Sequence, residues 1–274
     1  MATWFITGCS TGLGRSYAEA AIEHGHNVVV TARDVDKVRE LELAHADKVL
    51  ALTLDVTDDS QVTDAVNAAL ERFGSIDVLV NNAGYGYRAA VEEGEDGPVH
   101  ELFDTHVFGT VRTIKAVLPG MRSRGSGTIV NISSIGARIC PEGSGYYAAV
   151  KAAIEALTLS LRKEVAPIGI TAMVVEPGSF RTDFAGRSLT QSATPIAAYA
   201  ETAGKRRKEN DTARGNQKGD PAKAASVLIE VVESEQPPFM LLLGNDASDA
   251  FRGALDALRL DADTWESLSR STDI

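Results

Sequence analysis

The stretch TWFITGCSTGLGRSYAEAAIEHG, residues 3–25, carries the main evidence for the fold. Its opening TWFIT is apolar and β-branched, which is typical of a buried strand, and its end has a helical pattern. Three glycines join them: Gly8 allows a positive φ, Gly12 lets the main chain approach an anion, and Gly14 permits close helix packing. Free N–H groups and the helix dipole attract anions at such a helix start. We therefore interpret this turn as a dinucleotide pyrophosphate site rather than a plain tight turn.

Six further strand candidates follow, each long enough after the last for a crossover helix. They are NVVVTA at 27–32, VLALTLDV at 49–56, IDVLVNN at 76–82, GTIVNIS at 127–133, ITAMVV at 170–175 and FMLLL at 239–243. These runs are continuously apolar, as in strands buried on both faces, and one helix between them is marked by Asp58 and Gly74. The pattern predicts one α/β domain over residues 1–274, a doubly wound, seven-stranded parallel sheet with helices on both faces.

Composition narrows the function. The 274 residues are 44% apolar and 24% charged, as in an ordinary globular protein, and the net charge of -11 disfavours nucleic-acid binding. Cys9 and Cys140 are the only cysteines, so we expect no disulfide framework, no metal site, and a reducing, cytoplasmic compartment. The first residues lack a basic leader, and no run reaches about 18 apolar residues, so we expect neither secretion nor a membrane span.

One segment, 179–219, breaks the alternation of strands and helices before a helix that is predicted to begin near Pro221. Long insertions of this kind are commonly functional, and we expect this one to cover the substrate. It contains KRRK at 205–208, flanked by Glu201, Glu209 and Asp211. The mixed charges favour a solvated helical face over an anion-binding patch.

Several motifs occur together in one order. The turn is spaced Gly-x-x-x-Gly-x-Gly, and it is followed by NNAG at 81–84, the set Ser134, Tyr147 and Lys151, and PG at 177–178. Nearly the whole chain resembles the short-chain dehydrogenase/reductase family, and VVTARD, VFGT and ESEQPPFMLLLGNDA are most similar to its hydroxysteroid- or retinol-dehydrogenase-like bacterial branch. The resemblance implies a Rossmann-type domain, a nicotinamide cofactor, and a homodimer or homotetramer.

The end of the second strand bears on which nucleotide binds. Family members that prefer NAD usually place Asp where this chain has Ala32, and Arg33 resembles the basic residue of NADP-preferring members. A guanidinium there would bind the 2′-phosphate that an acid would repel, so we expect NADP(H), with NAD(H) as the alternative. Asp34 is expected to cap the following helix. Ser10 and Thr11 would add hydroxyl donors to the phosphate or serve only as turn residues.

The family resemblance also implies the cofactor-contacting residues. Asp55 would contact the adenine edge, NNAG would pack against the adenosine, and the PG segment would fix the nicotinamide face, with Thr182 touching the cofactor. The full set is Gly8, Ser10, Thr11, Gly12, Leu13, Gly14, Arg33, Asp55, Val56, Asn81, Ala83, Gly84, Tyr147, Lys151, Pro177, Gly178, Phe180 and Thr182.

The chemical group is expected at Tyr147 and Lys151, which lie four residues apart and so on one face of a predicted helix, whereas Tyr146 points about 100° away. A phenol has a pKa near 10, and an adjacent ammonium, with the oxidised nicotinamide, would lower it. Ser134 would donate to the substrate carbonyl while Tyr147 delivers a proton and the cofactor a hydride. Ser133 is the rival, but Ser134 fits the family's spacing to the tyrosine better.

The chain departs from the family at HVFG, residues 106–109, where the usual motif begins with Asn. His106 is larger and can carry a positive charge, so it would either alter the proton relay or leave the relay to its main-chain carbonyl. A histidine without catalytic duty is an equal alternative. We hypothesise that activity survives the replacement.

We interpret the protein as an oxidoreductase (EC 1.1.1.-) that interconverts a ketone or aldehyde with an alcohol. Phe184, Leu189, Ile196 and Tyr199 in the insertion favour an apolar carbonyl compound, with packing of the insertion itself as the alternative role for these residues. Two alternatives use the same fold: a noncatalytic NADP(H)-binding redox sensor, and an epimerase or dehydratase. Retention of Ser134, Tyr147 and Lys151 argues against the sensor, since a sensor needs no proton donor.

Overall fold

The stretch around Thr3–Ile6 lies at the centre of a parallel sheet in the computed structural model, which describes residues 1–186, 188–208 and 216–274. The strands are β1 Thr3–Ile6, β2 Asn27–Ala32, β3 Val49–Thr53, β4 Val78–Asn81, β5 Gly86–Arg88, β6 Gly127–Ile132, β7 Ile170–Pro177, β8 Leu189–Gln191 and β9 Met240–Leu243. Seven of them form the main sheet in the order β3-β2-β1-β4-β6-β7-β9, and every pairing is parallel. The predicted seven-stranded parallel sheet is confirmed.

Helices cover both faces of this sheet. They are α1 Gly12–Glu23, α2 Arg39–Ala44, α3 Asp59–Phe73, α4 Asp96–Phe103, α5 Gly109–Arg124, α6 Gly136–Ile139, α7 Gly145–Val165, α8 Pro221–Glu233 and α9 Asn245–Arg270. Trp4 packs in the layer of α1 and α8, while its neighbour Phe5 packs in the layer of α3 and α5. Because successive side chains of a strand point to opposite faces, each continuously apolar strand supplies both cores.

Several helix ends match the signals in the sequence. The Asp58 carboxylate accepts hydrogen bonds from the amides at the start of α3, and the helix ends at Gly74 with a φ of 80°. Asp220 caps α8, which begins at Pro221 as predicted. Asp34 accepts from the Asp36 amide and so caps the 3₁₀ turn Val35–Lys37, as expected.

A second sheet, in which β5 and β8 pair in parallel, is not predicted by the sequence. Three residues per strand carry too little periodicity to be recognised. The pairing places Leu189 beside Gly86 and fastens part of the 179–219 insertion over the residues that follow β4.

The prediction of a solvated helical face at residues 205–208 is wrong in part. Lys205 and Lys208 are exposed, but Arg207 is turned inward and both of its terminal nitrogens bind the Glu93 carboxylate, at 2.6 and 3.1 Å. The Glu93 side chain is fully buried, so it requires a cation, and the sequence does not indicate that requirement. Glu209 and Asp211, which suggested the solvated face, lie outside the described residues.

The carboxyl ends of the parallel strands share one edge of the sheet, which is where open α/β sheets bind ligands. The glycine-rich turn, the residues after β4, Ser134 and the turn after β7 all lie along this edge. Among the described helices, none is long and apolar enough to cross a membrane.

Candidate active site

The glycine-rich turn is held against the end of β4. Gly8 has a φ of 73°, as expected for the end of the strand, and a Cβ on Gly14 would overlap both the Gly8 carbonyl and the Asn82 amide. The Asn82 amide donates to the carbonyl oxygens of Thr7 and Gly8, at 3.0 and 3.1 Å. Asn82 therefore anchors the turn, a role that the sequence analysis did not assign to it.

Gly12 faces an opening rather than packed atoms. Its φ is 66°, and a Cβ built there would meet only the Thr182 side chain, at 3.6 and 3.8 Å. Thr11 precedes α1 with extended backbone and makes no side-chain capping bond, so its hydroxyl is not used by its own helix. The free amides at the start of α1 lie beside a gap that a Cβ on Gly12 would narrow. Such a gap suits a pyrophosphate, so these residues fit a dinucleotide.

Of the other predicted cofactor residues, some follow the ends of β2 and β3, whereas Asn81 lies inside the core. Ala32 is buried at the end of β2, Arg33 is exposed beside it, and Asp55 accepts from the Thr57 amide and hydroxyl at 3.0 and 2.7 Å. Asn81 differs, because its buried amide donates to Asn131 at 2.8 Å and accepts from a threonine of α5. The Asn81 side chain thus joins neighbouring elements inside the core.

Ser134, Tyr147 and Lys151 converge at the end of β6. The Ser134 hydroxyl accepts from the Gly136 amide at 3.0 Å and acts on the Tyr147 phenol, whose pKa it lowers. The Lys151 ammonium lies 5.7 Å from the centre of the Tyr147 ring and donates to the Ile132 carbonyl at 2.8 Å. The structure therefore brings together the three residues that the spacing selected.

The rival residues are engaged elsewhere. Tyr146 donates its hydroxyl to the Val91 carbonyl at 2.6 Å, on the side of α7 away from Ser134. Ser133 is buried and donates to Glu155 at 2.6 Å. Glu155 also binds Arg138, which in turn binds the fully buried Glu176. Burial and the charge of Glu155 raise the pKa of Glu176 to about 7.

Burial dominates the electrostatics of the Tyr147 group. It raises the pKa of the Tyr147 phenol to about 12, against smaller lowering effects of the Ser134 hydrogen bond and the Arg88 charge. It also lowers the pKa of the Lys151 ammonium to about 7, while Glu155 acts in the opposite direction. The cation that lowers the phenol pKa in this structure is Arg88, rather than the Lys151 that the sequence analysis singled out.

His106 occupies a π-helical turn, Asp104–Phe108, between α4 and α5. Its ring is buried, stands edge-on to Tyr147 with centroids 5.9 Å apart, and hydrogen-bonds the Tyr85 backbone through Nε2. Burial and the Lys151 charge hold the pKa of His106 well below its ordinary value, which favours the neutral ring among the possibilities that the sequence leaves open. Gly84 is small because a Cβ there would overlap this ring.

Arg88 was not predicted as a site residue. It belongs to β5, is only 8% exposed, and its guanidinium carbon lies 6.0 Å from the centre of the Tyr147 ring. Its position depends on the pairing of β5 with β8, so no local pattern indicates it.

One of the four apolar residues named in the 179–219 insertion, Phe184, packs beside Tyr147. The Phe184 ring lies 5.8 Å from the Tyr147 ring. Leu189 packs against Gly86, whereas the Tyr199 hydroxyl donates to Glu92 and the Ile196 amide donates to a neighbouring carboxylate. These last two contacts fasten the segment to the body.

The turn after β7 is held by the start of α9. The Ser179 amide donates to Asp246 at 2.7 Å, and a Cβ on Gly178 would overlap that carboxylate. Phe180 forms a parallel bridge with Gly219, which closes the base of the insertion.

Comparisons with known proteins agree with this architecture. A family model described as short chain dehydrogenase matches residues 2–193. An oxidoreductase of Botryotinia fuckeliana is 38% identical over 267 residues, 97% of each chain, and a 3-ketodihydrosphingosine reductase of Bacteroides thetaiotaomicron is 34% identical over 87% of this chain and 86% of its own.

Solved structures extend the likeness to three dimensions. The crystal structure of a short-chain dehydrogenase from Streptomyces avermitilis is 42% identical, covers all of both chains and has a TM-score of 0.93. An alcohol dehydrogenase from Thermococcus sibiricus, complexed with 5-hydroxy-NADP, is 27% identical over 89% of this chain and 96% of its own, with a TM-score of 0.72. The chain therefore belongs to the short-chain dehydrogenase family of oxidoreductases.

Proposed function

We propose that the protein interconverts a ketone or aldehyde with an alcohol, using NADP(H), with Tyr147 as the proton donor and acceptor. The observation that carries this proposal is the convergence of Ser134, Tyr147 and Lys151 at the sheet edge where the glycine-rich turn opens. A hydroxyl pair beside an ammonium can hold a carbonyl oxygen and protonate it.

In reduction, Ser134 donates a hydrogen bond to the substrate carbonyl oxygen, and Tyr147 transfers its phenolic proton to that oxygen. The bound nicotinamide would supply the hydride to the carbonyl carbon. Lys151 would hold the nicotinamide ribose through its Nζ, which the Ile132 carbonyl fixes near the Tyr147 ring. Oxidation of the alcohol reverses these steps.

The cofactor preference is assigned to Arg33, the exposed residue after the buried Ala32. A guanidinium there favours a 2′-phosphate, and the relative from Thermococcus sibiricus was crystallised with an NADP derivative. The measurement is kcat/KM with NADPH and with NADH for the wild type and Arg33→Asp. NADPH should lose its advantage in the variant, and an unchanged ratio would contradict the assignment.

Tyr147→Phe tests the chemistry, with Tyr146→Phe as the matched control. Removing a general acid costs about 10²- to 10⁴-fold in rate, so Tyr147→Phe should lose turnover to that extent, while NADPH affinity stays within about threefold. Tyr146→Phe should turn over like the wild type, because its hydroxyl binds Val91 instead. Intact reductase activity in Tyr147→Phe would refute the mechanism.

Residues 179–219 are proposed to cover the substrate, supported by the contact between Phe184 and Tyr147. A cytoplasmic location is proposed from the two free cysteines, Cys9 and Cys140. Assembly as a homodimer or homotetramer is supported by α9, where Leu258 and Trp265 are 66% and 61% exposed at helical spacing. Light scattering should give a multiple of the 29.1 kDa chain mass that falls in Leu258→Glu; a monomeric wild type would exclude assembly.

A further inference from the structure

Among the residues that the structure describes, the Arg88 guanidinium beside Tyr147 has no counterion. Its side chain is more than nine-tenths buried, and its Nε and Nη1 atoms have no hydrogen-bond partner within residues 1–186, 188–208 and 216–274. In that same part of the chain no carboxylate forms an ion pair with it, whereas Arg207, at the other side of the insertion, has Glu93.

A buried guanidinium without a partner is costly. Arginine does not lose its proton in proteins, and an uncompensated buried charge costs several kcal/mol. Burial and the like charge of Arg206 lower the Arg88 pKa, and within the described ranges only the Tyr147 oxygen raises it. Tyr147 enters a ketone reduction as a neutral phenol, so it does not supply the missing negative charge at that stage.

We propose that Arg88 binds a carboxylate on the substrate, so that the protein acts on oxo acids and the corresponding hydroxy acids. This inference rests on the proposed function of the same site. The guanidinium presents parallel N–H donors that match the two oxygens of a carboxylate.

The geometry also limits the length of the substrate. The Arg88 guanidinium carbon is 6.0 Å from the centre of the ring whose hydroxyl protonates the carbonyl. A short oxo acid, in which a few bonds separate the carbonyl group from the carboxylate, fits this spacing better than a long one. The Phe184 ring, which packs beside the Tyr147 ring, supplies apolar contact for the carbon chain between the carbonyl group and the carboxylate.

The test uses short oxo acids and their methyl esters, which differ only in the negative charge. A hydrogen-bonded ion pair is worth about 10- to 100-fold in binding, so the wild type should turn over each acid at least about tenfold faster than its ester, in kcat/KM. Arg88→Gln should bring the acid-to-ester ratio of kcat/KM to about one, because any change in the Tyr147 phenol affects acids and esters alike, and Arg88→Lys should keep part of the preference. Arg259→Gln, which removes the same charge from an exposed position on α9, should behave like the wild type.

A second measurement separates this proposal from the proposed function. Thermal shift is recorded with a short saturated carboxylate, which cannot be reduced, and with its methyl ester. Stabilisation of the wild type by the acid alone, absent in Arg88→Gln, supports the anion site even if no carbonyl compound is turned over. Turnover of esters without any preference for acids overturns the anion site and leaves the reductase intact.

A different role for Arg88 would give a different pattern. If the guanidinium only tuned the Tyr147 phenol, Arg88→Gln would reduce activity on acids and esters equally and would move the pH profile of both. That result, or an equal thermal response of wild type and variant to the carboxylate, would overturn the proposal. Circular dichroism melting of Arg88→Gln and Arg88→Lys verifies that both variants are folded.

Discussion

Gly12 and Gly14 lie two positions apart in one turn, but adding a methyl group should have different consequences at each. At Gly14 the new Cβ would overlap the Gly8 carbonyl and the Asn82 amide, both fixed parts of the turn. At Gly12 the nearest atom would be the Thr182 Cβ, at 3.6 Å. The first substitution therefore perturbs the fold, and the second mainly fills the space assigned to the nucleotide.

The magnitudes follow from these contacts. For Gly14→Ala, overpacking costs about 1 to 3 kcal/mol and each disrupted Asn82 hydrogen bond costs about 1 kcal/mol, while the helix propensity of alanine returns about 1 kcal/mol. The net loss in the free energy of unfolding is about 2 to 4 kcal/mol. For Gly12→Ala the cost is about 1 to 2 kcal/mol, since its φ of 66° disfavours a side chain.

The assay combines thermal unfolding with nucleotide titration. At roughly 2 to 4 °C per kcal/mol for a chain of this size, Tm should fall by about 5 to 15 °C in Gly14→Ala and by about 2 to 8 °C in Gly12→Ala. NADPH should raise the Tm of the wild type strongly and that of Gly12→Ala little, because the methyl group stands where the pyrophosphate must approach. A Gly12→Ala variant that binds NADPH like the wild type would refute the assignment of the turn, and a Gly14→Ala variant of wild-type stability would refute the packing argument.

Three further predictions concern buried charge. Glu176→Gln should stabilise the protein above pH 7 by up to roughly 3 kcal/mol in denaturant unfolding. The pKa of Glu176 in the folded protein, about 7, exceeds its ordinary value of 4.5. The stabilising contribution of this carboxyl is therefore present below pH 4.5 and is lost as the pH rises through 7. Equal stability of variant and wild type at pH 8 would contradict this. His106→Asn should keep turnover within about tenfold. The pH–rate profile of the wild type should show no His106 ionisation, because the pKa of the ring is well below its ordinary value. A wild type that is inactive on every carbonyl compound that the variant reduces would refute the hypothesis that activity survives with histidine at this position. Arg207→Met should expose residues 188–208 to limited proteolysis, since the Glu93 carboxylate loses its cation. The Glu93 pKa is lowered to about 2, so the contribution of this pair is present above pH 4.5 and is lost as the pH falls towards 2; an unchanged digestion rate at pH 7 would count against the anchoring role.

The Tyr147 and Arg88 arrangement shows how one buried site combines two opposing demands. Burial raises the phenol pKa to about 12, which keeps the proton on Tyr147 until a substrate oxygen accepts it. The same burial leaves the Arg88 charge without solvent, which favours a ligand that brings an anion. The raised pKa of Tyr147 and the preference for a charged substrate thus have the same cause, which is the burial of these two neighbouring side chains.

Features that depend on neighbours along the chain are readable from the order of the residues. Seven strands were recognisable because continuously apolar runs are required for burial on both faces, and α3 was bounded by the local bonds of Asp58 and the φ of Gly74. The preference for Tyr147 over Tyr146 followed from helical geometry alone, since adjacent residues point about 100° apart.

Features that depend on residues far apart in the chain become visible only in the folded molecule. The pairing of Gly86 with Leu189 joins segments separated by about a hundred residues, and it creates the strand that carries Arg88. The neutral state of His106 and the inward turn of Arg207 depend on burial and on partners from other elements. Desolvation and long-range pairing arise when the chain folds, and no local pattern of residues encodes them.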